Sequence, residues 1–167
     1  MTKGSANGDN FEPLNPFRKS VVCYEHAKWL ADPDLSHAIT LNANRSVSLP
    51  KMLDLCVAFS CEVDRYKHQR RNVRSIPSID RVHAIGVAEH LDSNLHLHFA
   101  VRLDGWLEKP FSQPDHAVFE HYWRKISKSG SIWISKNYAP FGWEKYMMKE
   151  HYRRDGDIIL SRDFHPN

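Results

Sequence analysis

The chain has 167 residues, 41% hydrophobic and 26% charged, which is enough for one domain with a core and too balanced for a disordered or fibrous chain. Its 23 Lys and Arg against 20 Asp and Glu leave a formal charge of +3, too small by itself to name a polyanionic partner. Cys23, Cys56 and Cys61 do not make a disulfide framework or a zinc knuckle, no apolar run is long enough for a bilayer, and the polar start lacks a signal-peptide core, so a reduced, cytoplasmic setting with no membrane partner is expected.

Met1 to about Arg18 is rich in Gly, Asn, Ser and Pro and reads as a flexible N-terminal arm, leaving 19–167 as a single domain. A short helix is expected over Val21 to Ala31, stopped by Asp32-Pro33-Asp34. His37 to Asn44 reads as a strand, with Ile39 and Leu41 on one face and Thr40 on the other. Ser48 then looks like an N-cap and Pro50 falls in the first turn of a helix from Leu49 to about Gln69. Leu49, Met52, Leu53, Cys56, Phe59, Val63 and Tyr66 give that helix one apolar stripe. Its end runs into a basic cluster, Arg65, Lys67, His68, Arg70, Arg71 and Arg74. Such a cluster is either a solvated helix end with cations favoured by the dipole or a phosphate-contacting patch.

The stretch Glu89 to Phe99 organises the chain. Leu95, Leu97, Phe99, Val101 and Leu103 share one parity, and His96, His98, Ala100 and Arg102 share the other, so this is a strand with one buried face. His96 and His98 leave it on the same side with Cα atoms ~6.8 Å apart, close enough to share one metal ion. Residues 80–90, with Ile79, Val82, Ile85, Val87 and Ala88 supplying the apolar content, read as the preceding strand, and Asp92-Ser93 is turn chemistry. A hairpin centred there sets Glu89 opposite His96 and Val87 opposite His98, so Glu89 projects beside the imidazoles and His90 points away; a slip of one residue exchanges them. Two imidazoles and a carboxylate leave open coordination positions, as a catalytic divalent ion needs.

Asp104-Gly105 is a turn and Pro110 to Pro114 a loop. Residues 115–127 read as a helix with Ala117, Val118, His121, Tyr122 and Ile126 towards a core. A strand follows from Gly130 through Ile132, Trp133, Ile134 and Tyr138, then a helix from Trp143 to about Arg153, then a strand Ile158 to Leu160. The pattern predicts an α+β domain: a central antiparallel sheet of about five strands with flanking helices. In the late helix Tyr146 and Lys149 are i, i+3 and share a face. A neighbouring ammonium eases formation of phenolate, and Tyr138 and Tyr152 are rival nucleophiles on chemistry alone.

Three stretches, in order, resemble the HUH endonucleases of the rolling-circle replication initiator type. Ile39-Thr40-Leu41-Asn42-Ala43-Asn44 resembles that family's first motif, His96-Leu97-His98 with Glu89 its metal motif, and Tyr146-Met147-Met148-Lys149 its nucleophile motif, Tyr-x-x-Lys. The resemblance spans about Ala38 to Leu160. It implies a sheet of the kind seen in RNA-recognition and ferredoxin-like folds, with the Tyr146 helix, and not the Leu49 helix, over the histidine face. It also implies nicking and joining of single-stranded DNA through a 5′-phosphotyrosine on Tyr146, with Lys149 as an electrostatic helper and Mg²⁺ or Mn²⁺ held by His96, His98 and Glu89. The DNA partner would be an origin hairpin or nick site.

Unlike the larger initiators, the chain has no Gly-x-x-x-x-Gly-Lys-Ser/Thr, so a separately encoded helicase is the expected partner. Three rivals make different predictions: a single-tyrosine transposase acting as a dimer, a catalytically idle nucleic-acid-binding domain, and a metal-dependent hydrolase that uses water. Candidate DNA contacts are Arg65, Lys67, Arg70, Arg71 and Arg74, with Trp106, Trp123 or Trp133 for base stacking, although each tryptophan is also a natural core residue.

Overall fold

A computed structural model describes residues 34–91, 93–104, 111–138, 142–148 and 158–164. The expected arm over 1–18, the helix over Val21 to Ala31, Asp92, Trp106, Lys149 and Tyr152 lie outside the described residues. Among the described residues no helix is long and apolar enough to cross a membrane.

Strands β1 (His37–Asn42), β2 (Ala84–Glu89), β3 (His96–Val101), β4 (Ser131–Lys136) and β5 (Ile158–Leu160) form one antiparallel sheet in the order β4-β1-β3-β2-β5. Helix α1 (Leu49–His68) follows β1, α2 (Gln113–Ile126) follows β3, and residues 142–148 form α3 between β4 and β5. The first four strands with α1 and α2 thus run β-α-β-β-α-β, the split βαβ arrangement, and the α+β architecture expected from the sequence holds.

The Ser48 hydroxyl caps α1 by accepting from the Lys51 N–H at 3.4 Å, and Pro50 sits in the first turn, where its missing N–H leaves nothing unpaired. The helix ends at Gln69, whose left-handed φ of 50° closes the C-terminus. Met52, Cys56, Phe59 and Val63 are buried as the stripe predicted, joined by Leu55 and by Asp64, which accepts the Val82 N–H at 2.8 Å. That bond, together with Arg81 donating to the Ile76 and Val73 carbonyls at 3.0 Å each, satisfies the chain locally before β2. The strand expected from residue 80 therefore starts only at Ala84, and Ile79 is 81% exposed.

Of the stripe expected on α2, Tyr122 and Ile126 pack against the core, but Ala117 and His121 are exposed, and the buried positions are Asp115, Phe119 and Trp123. Asp115 turns inward because it closes the capping box with the Ser112 N–H at 3.0 Å and also accepts from the Tyr66 hydroxyl at 2.8 Å. Tyr138 falls beyond β4 and is exposed.

The two faces of the sheet have different cores. Ile39, Leu41, Leu97, Phe99 and Val101 face α1 and α2 with Met52, Phe59, Phe119 and Trp123. Gly86 belongs to this face because the Phe99 ring lies over it, 2.3 Å from where a Cβ would stand. A second, smaller core joins Leu35, Val87 and Ala100 to Met147 and Met148 of α3. Helix α3 therefore covers the face that carries His96 and His98, as the resemblance implied.

Candidate metal centre

The hairpin register is the one the turn position predicted: Glu89 opposes His96 and Val87 opposes His98. One carboxylate oxygen, Glu89 Oε2, lies 2.9 Å from His96 Nε2 and 2.5 Å from His98 Nε2. Glu89 and His98 are buried and His96 is half-buried. The outer ring nitrogens fix how these groups face each other. His96 Nδ1–H donates to the Asn94 carbonyl at 2.8 Å, and a carbonyl only accepts, so neutral His96 presents the lone pair of Nε2 to Glu89. His98 Nδ1 pairs with Thr40 Oγ1 at 2.9 Å, and with the ring donating there its Nε2 faces the same carboxylate oxygen. Lone pairs and a carboxylate meeting at one point repel unless a proton or a metal cation lies among them. Adjacent ligands of an ion bound at ~2.1 Å in octahedral geometry lie ~3.0 Å apart, so the two nitrogen–oxygen separations need to open by only about half an ångström; His98 is outside the set whose ligand atoms all lie within 4.8 Å of one another, which is Glu89, His90 and His96.

The expectation that His90 points away is corrected. Its φ is 57°, so the alternation of β2 stops at Glu89 and the chain turns back on itself. The His90 ring lies 5.2 Å from that of His96, and ligand atoms of Glu89, His90 and His96 all fall within 4.8 Å of one another. The Glu-His-His cluster so formed could hold a metal ion. No period-2 reading could find His90, because the period ends one residue earlier.

Tyr146 reaches the same face. Its ring lies 5.6 Å from that of His98 and stacks on Trp143 at 5.4 Å and 14° between planes. Trp143 in turn sits edge-on to His98 at 5.5 Å, donates its indole N–H to the Phe99 carbonyl at 3.1 Å, and lies 6.0 Å from Trp133. Trp133 and Tyr146 are 52% and 42% exposed, so an aromatic row Trp133-Trp143-Tyr146 borders the histidines and is open to solvent. Trp123 is fully buried and donates to the Asn42 carbonyl at 3.0 Å, which makes it core and not a stacking platform.

Glu144, two residues before Tyr146, was not singled out from the sequence. It is fully buried, accepts from Asn137 Nδ2 at 3.3 Å through Oε1, and among the described residues has no hydrogen-bond partner on Oε2. Burial pushes its carboxyl up to about 7.

The basic cluster lies elsewhere. Lys67 Nζ and the His68 ring meet the Asp80 carbonyl at 2.8 Å each, and Arg65 pairs with Glu62 at 3.2 Å. Arg70, Arg71 and Arg74 are exposed. Arg65, Lys67 and His68 lie in the last turn of α1 and Arg70, Arg71 and Arg74 just beyond it; the core of α1 is on the other face of the sheet, and the cluster adjoins the start of β2, whereas Glu89 is at its end. A cavity of about 40 Å³ is also on that other face, lined by apolar groups such as Ile39, Phe59 and Phe99, and lies apart from the histidines. No protein-family model, curated protein or solved structure matches the chain.

Proposed function

We propose that this protein is a metal-dependent nuclease and strand transferase for single-stranded DNA, of the HUH type that initiates rolling-circle replication. The observation that carries the reading is the meeting, on one sheet face, of Glu89, His96 and His98 with the ring of Tyr146. A phenol next to a candidate metal centre is not needed to build a core, and Tyr146 is too exposed to serve as one.

In this reading the Tyr146 phenolate oxygen attacks a phosphodiester phosphorus. The new bond is P–O(Tyr), the bond to the 3′ oxygen breaks, and that oxygen takes up a proton to leave a 3′-OH. One phosphoester replaces another, so a 3′-OH can reverse the step without ATP. Trp143, stacked on Tyr146, holds the phenol ring in orientation, and the exposed faces of the aromatic row suit unpaired bases. Glu89, His96 and His98 would hold Mg²⁺ or Mn²⁺, which supplies Lewis-acid polarisation of a non-bridging phosphate oxygen. Lys149, three residues after Tyr146 in sequence, would be the electrostatic helper for the developing charge. The partners are an origin hairpin or nick site and a separately encoded helicase. A cytoplasmic setting agrees with the free thiols of Cys56 and Cys61.

The test is incubation with a pool of single-stranded oligonucleotides and Mn²⁺, then a denaturing gel. A slower protein band should form, disappear in Tyr146→Phe and persist in Tyr152→Phe. Cleavage without a covalent band would instead mean hydrolysis by water, and a band kept in Tyr146→Phe would remove the nucleophile from the reading.

A further inference from the structure

We propose that His90 is a fourth ligand of the centre, and that three imidazoles with one carboxylate make it select a borderline transition ion, of the Mn²⁺, Co²⁺ or Zn²⁺ class, over Mg²⁺. The inference rests on the metal centre of the reading above and not on its nicking step.

His90 holds a left-handed φ of 57°, a region that non-glycine residues enter at a cost of about 1 kcal/mol or more and that concentrates at functional positions. It is exposed, so the turn does not serve to bury its ring. The turn brings the imidazole to 5.2 Å from that of His96, on the side where Glu89 already faces two ring nitrogens. Ligand atoms across an ion bound at ~2.1 Å lie ~4.2 Å apart, so the 4.8 Å envelope of Glu89, His90 and His96 closes by a modest rotation of a solvent-exposed ring. Mg²⁺ prefers oxygen ligands and gives up water reluctantly, whereas imidazole nitrogen suits the later divalent ions. A third imidazole therefore raises affinity for those ions and does little for Mg²⁺.

The test uses the full chain and Co²⁺ as the probe, read by its visible d–d absorption, with Mg²⁺ titrated calorimetrically. Asn is the substitution of choice at position 90, because it tolerates left-handed backbone. His90→Asn should weaken Co²⁺ binding by about fivefold or more and shift the band, with Mg²⁺ affinity held within about twofold. His121→Asn, on the exposed face of α2, should change neither. A smaller loss for Co²⁺, or an equal loss for Mg²⁺, overturns the inference. Absence of any Co²⁺ band in the parent chain overturns it together with the centre, whereas a normal band with no DNA adduct sinks the nicking reading alone.

Discussion

Glu144 offers a quantitative test of how the Tyr146 helix is held. The carboxyl is fully buried between α3 and the end of β4, with Asn137 on one oxygen and, among the described residues, no partner on the other. Its pKa rises from an ordinary 4.5 to about 7 through desolvation first, opposed by its hydrogen bonds. Between those values the unfolded chain loses the proton and the folded chain keeps it, so stability falls as pH rises through this window and stays low above it. At about 1.4 kcal/mol per pH unit, a gap of this size costs roughly 3 kcal/mol above pH 7. Glu144→Gln keeps the acceptor for Asn137 and removes the ionisation. The variant should be near the parent in stability at pH 5 and more stable at pH 8, by roughly 1 to 3 kcal/mol after the cost of an unpaired amide donor. Urea unfolding at pH 5, 6, 7 and 8 reads this as a difference between the two proteins. His37, whose pKa is lowered mainly by burial, acts with the opposite sign: its contribution is lost as pH falls below 6.5. That term is common to both chains and cancels. A stability difference that stays constant from pH 5 to pH 8 would refute the argument.

Thr40→Val keeps the shape of a half-buried side chain but removes the partner of His98 Nδ1. It should weaken Mn²⁺ binding by about tenfold in calorimetry with little change in thermal midpoint, since outer partners of metal ligands carry effects of that order. Unchanged affinity would mean that Thr40 does not orient the ring. Gly86→Ala forces a methyl group into the Phe99 ring and against the His98 carbonyl, 2.6 Å from where the Cβ would stand, and should lower unfolding stability in urea by about 1 to 3 kcal/mol and weaken Mn²⁺ binding with it, because the displaced backbone carries a ligand. Combined Arg70→Ala, Arg71→Ala and Arg74→Ala should leave adduct formation on a short oligonucleotide unchanged, because six strand residues separate the two ends of β2 by roughly 17–20 Å. On longer DNA the same variant should bind more weakly with a shallower salt dependence, and loss of the short-substrate adduct would move the basic cluster into the site.

The hairpin was the most legible part of the chain. Alternation around His96 and His98, with turn chemistry at one place, left a single register that buried the apolar parity, and Glu89 opposite His96 followed from it. Helix α1 was equally readable, because Ser48, Pro50 and the apolar stripe agree on its start and its face. The failures came where distant partners decide. Asp115 faces inward on α2 because Tyr66, 49 residues earlier, supplies a donor, and no helical period contains that information. Thr40 could be assigned a face, but its bond to His98 needed β1 to lie beside β3. His90 was misassigned because a strand rule was carried one residue past the strand.

The position of the candidate centre follows from how the two faces are divided. Helices α1 and α2 together seal one face with aromatic and aliphatic side chains, and the buried Asp64 and Asp115 there are taken up by the Val82 and Ser112 N–H groups. Only α3 packs on the other face among the described elements. Met147 and Met148 hold it over Val87 and Ala100, and the described members of this core stop short of the hairpin end. Along β3 the boundary is crossed within two residues, from buried His98 beneath Trp143 and Tyr146 to half-buried His96 beside exposed His90. A phosphate needs such a boundary: a dry wall to strengthen the field of a cation and an open side by which a polyanion can enter.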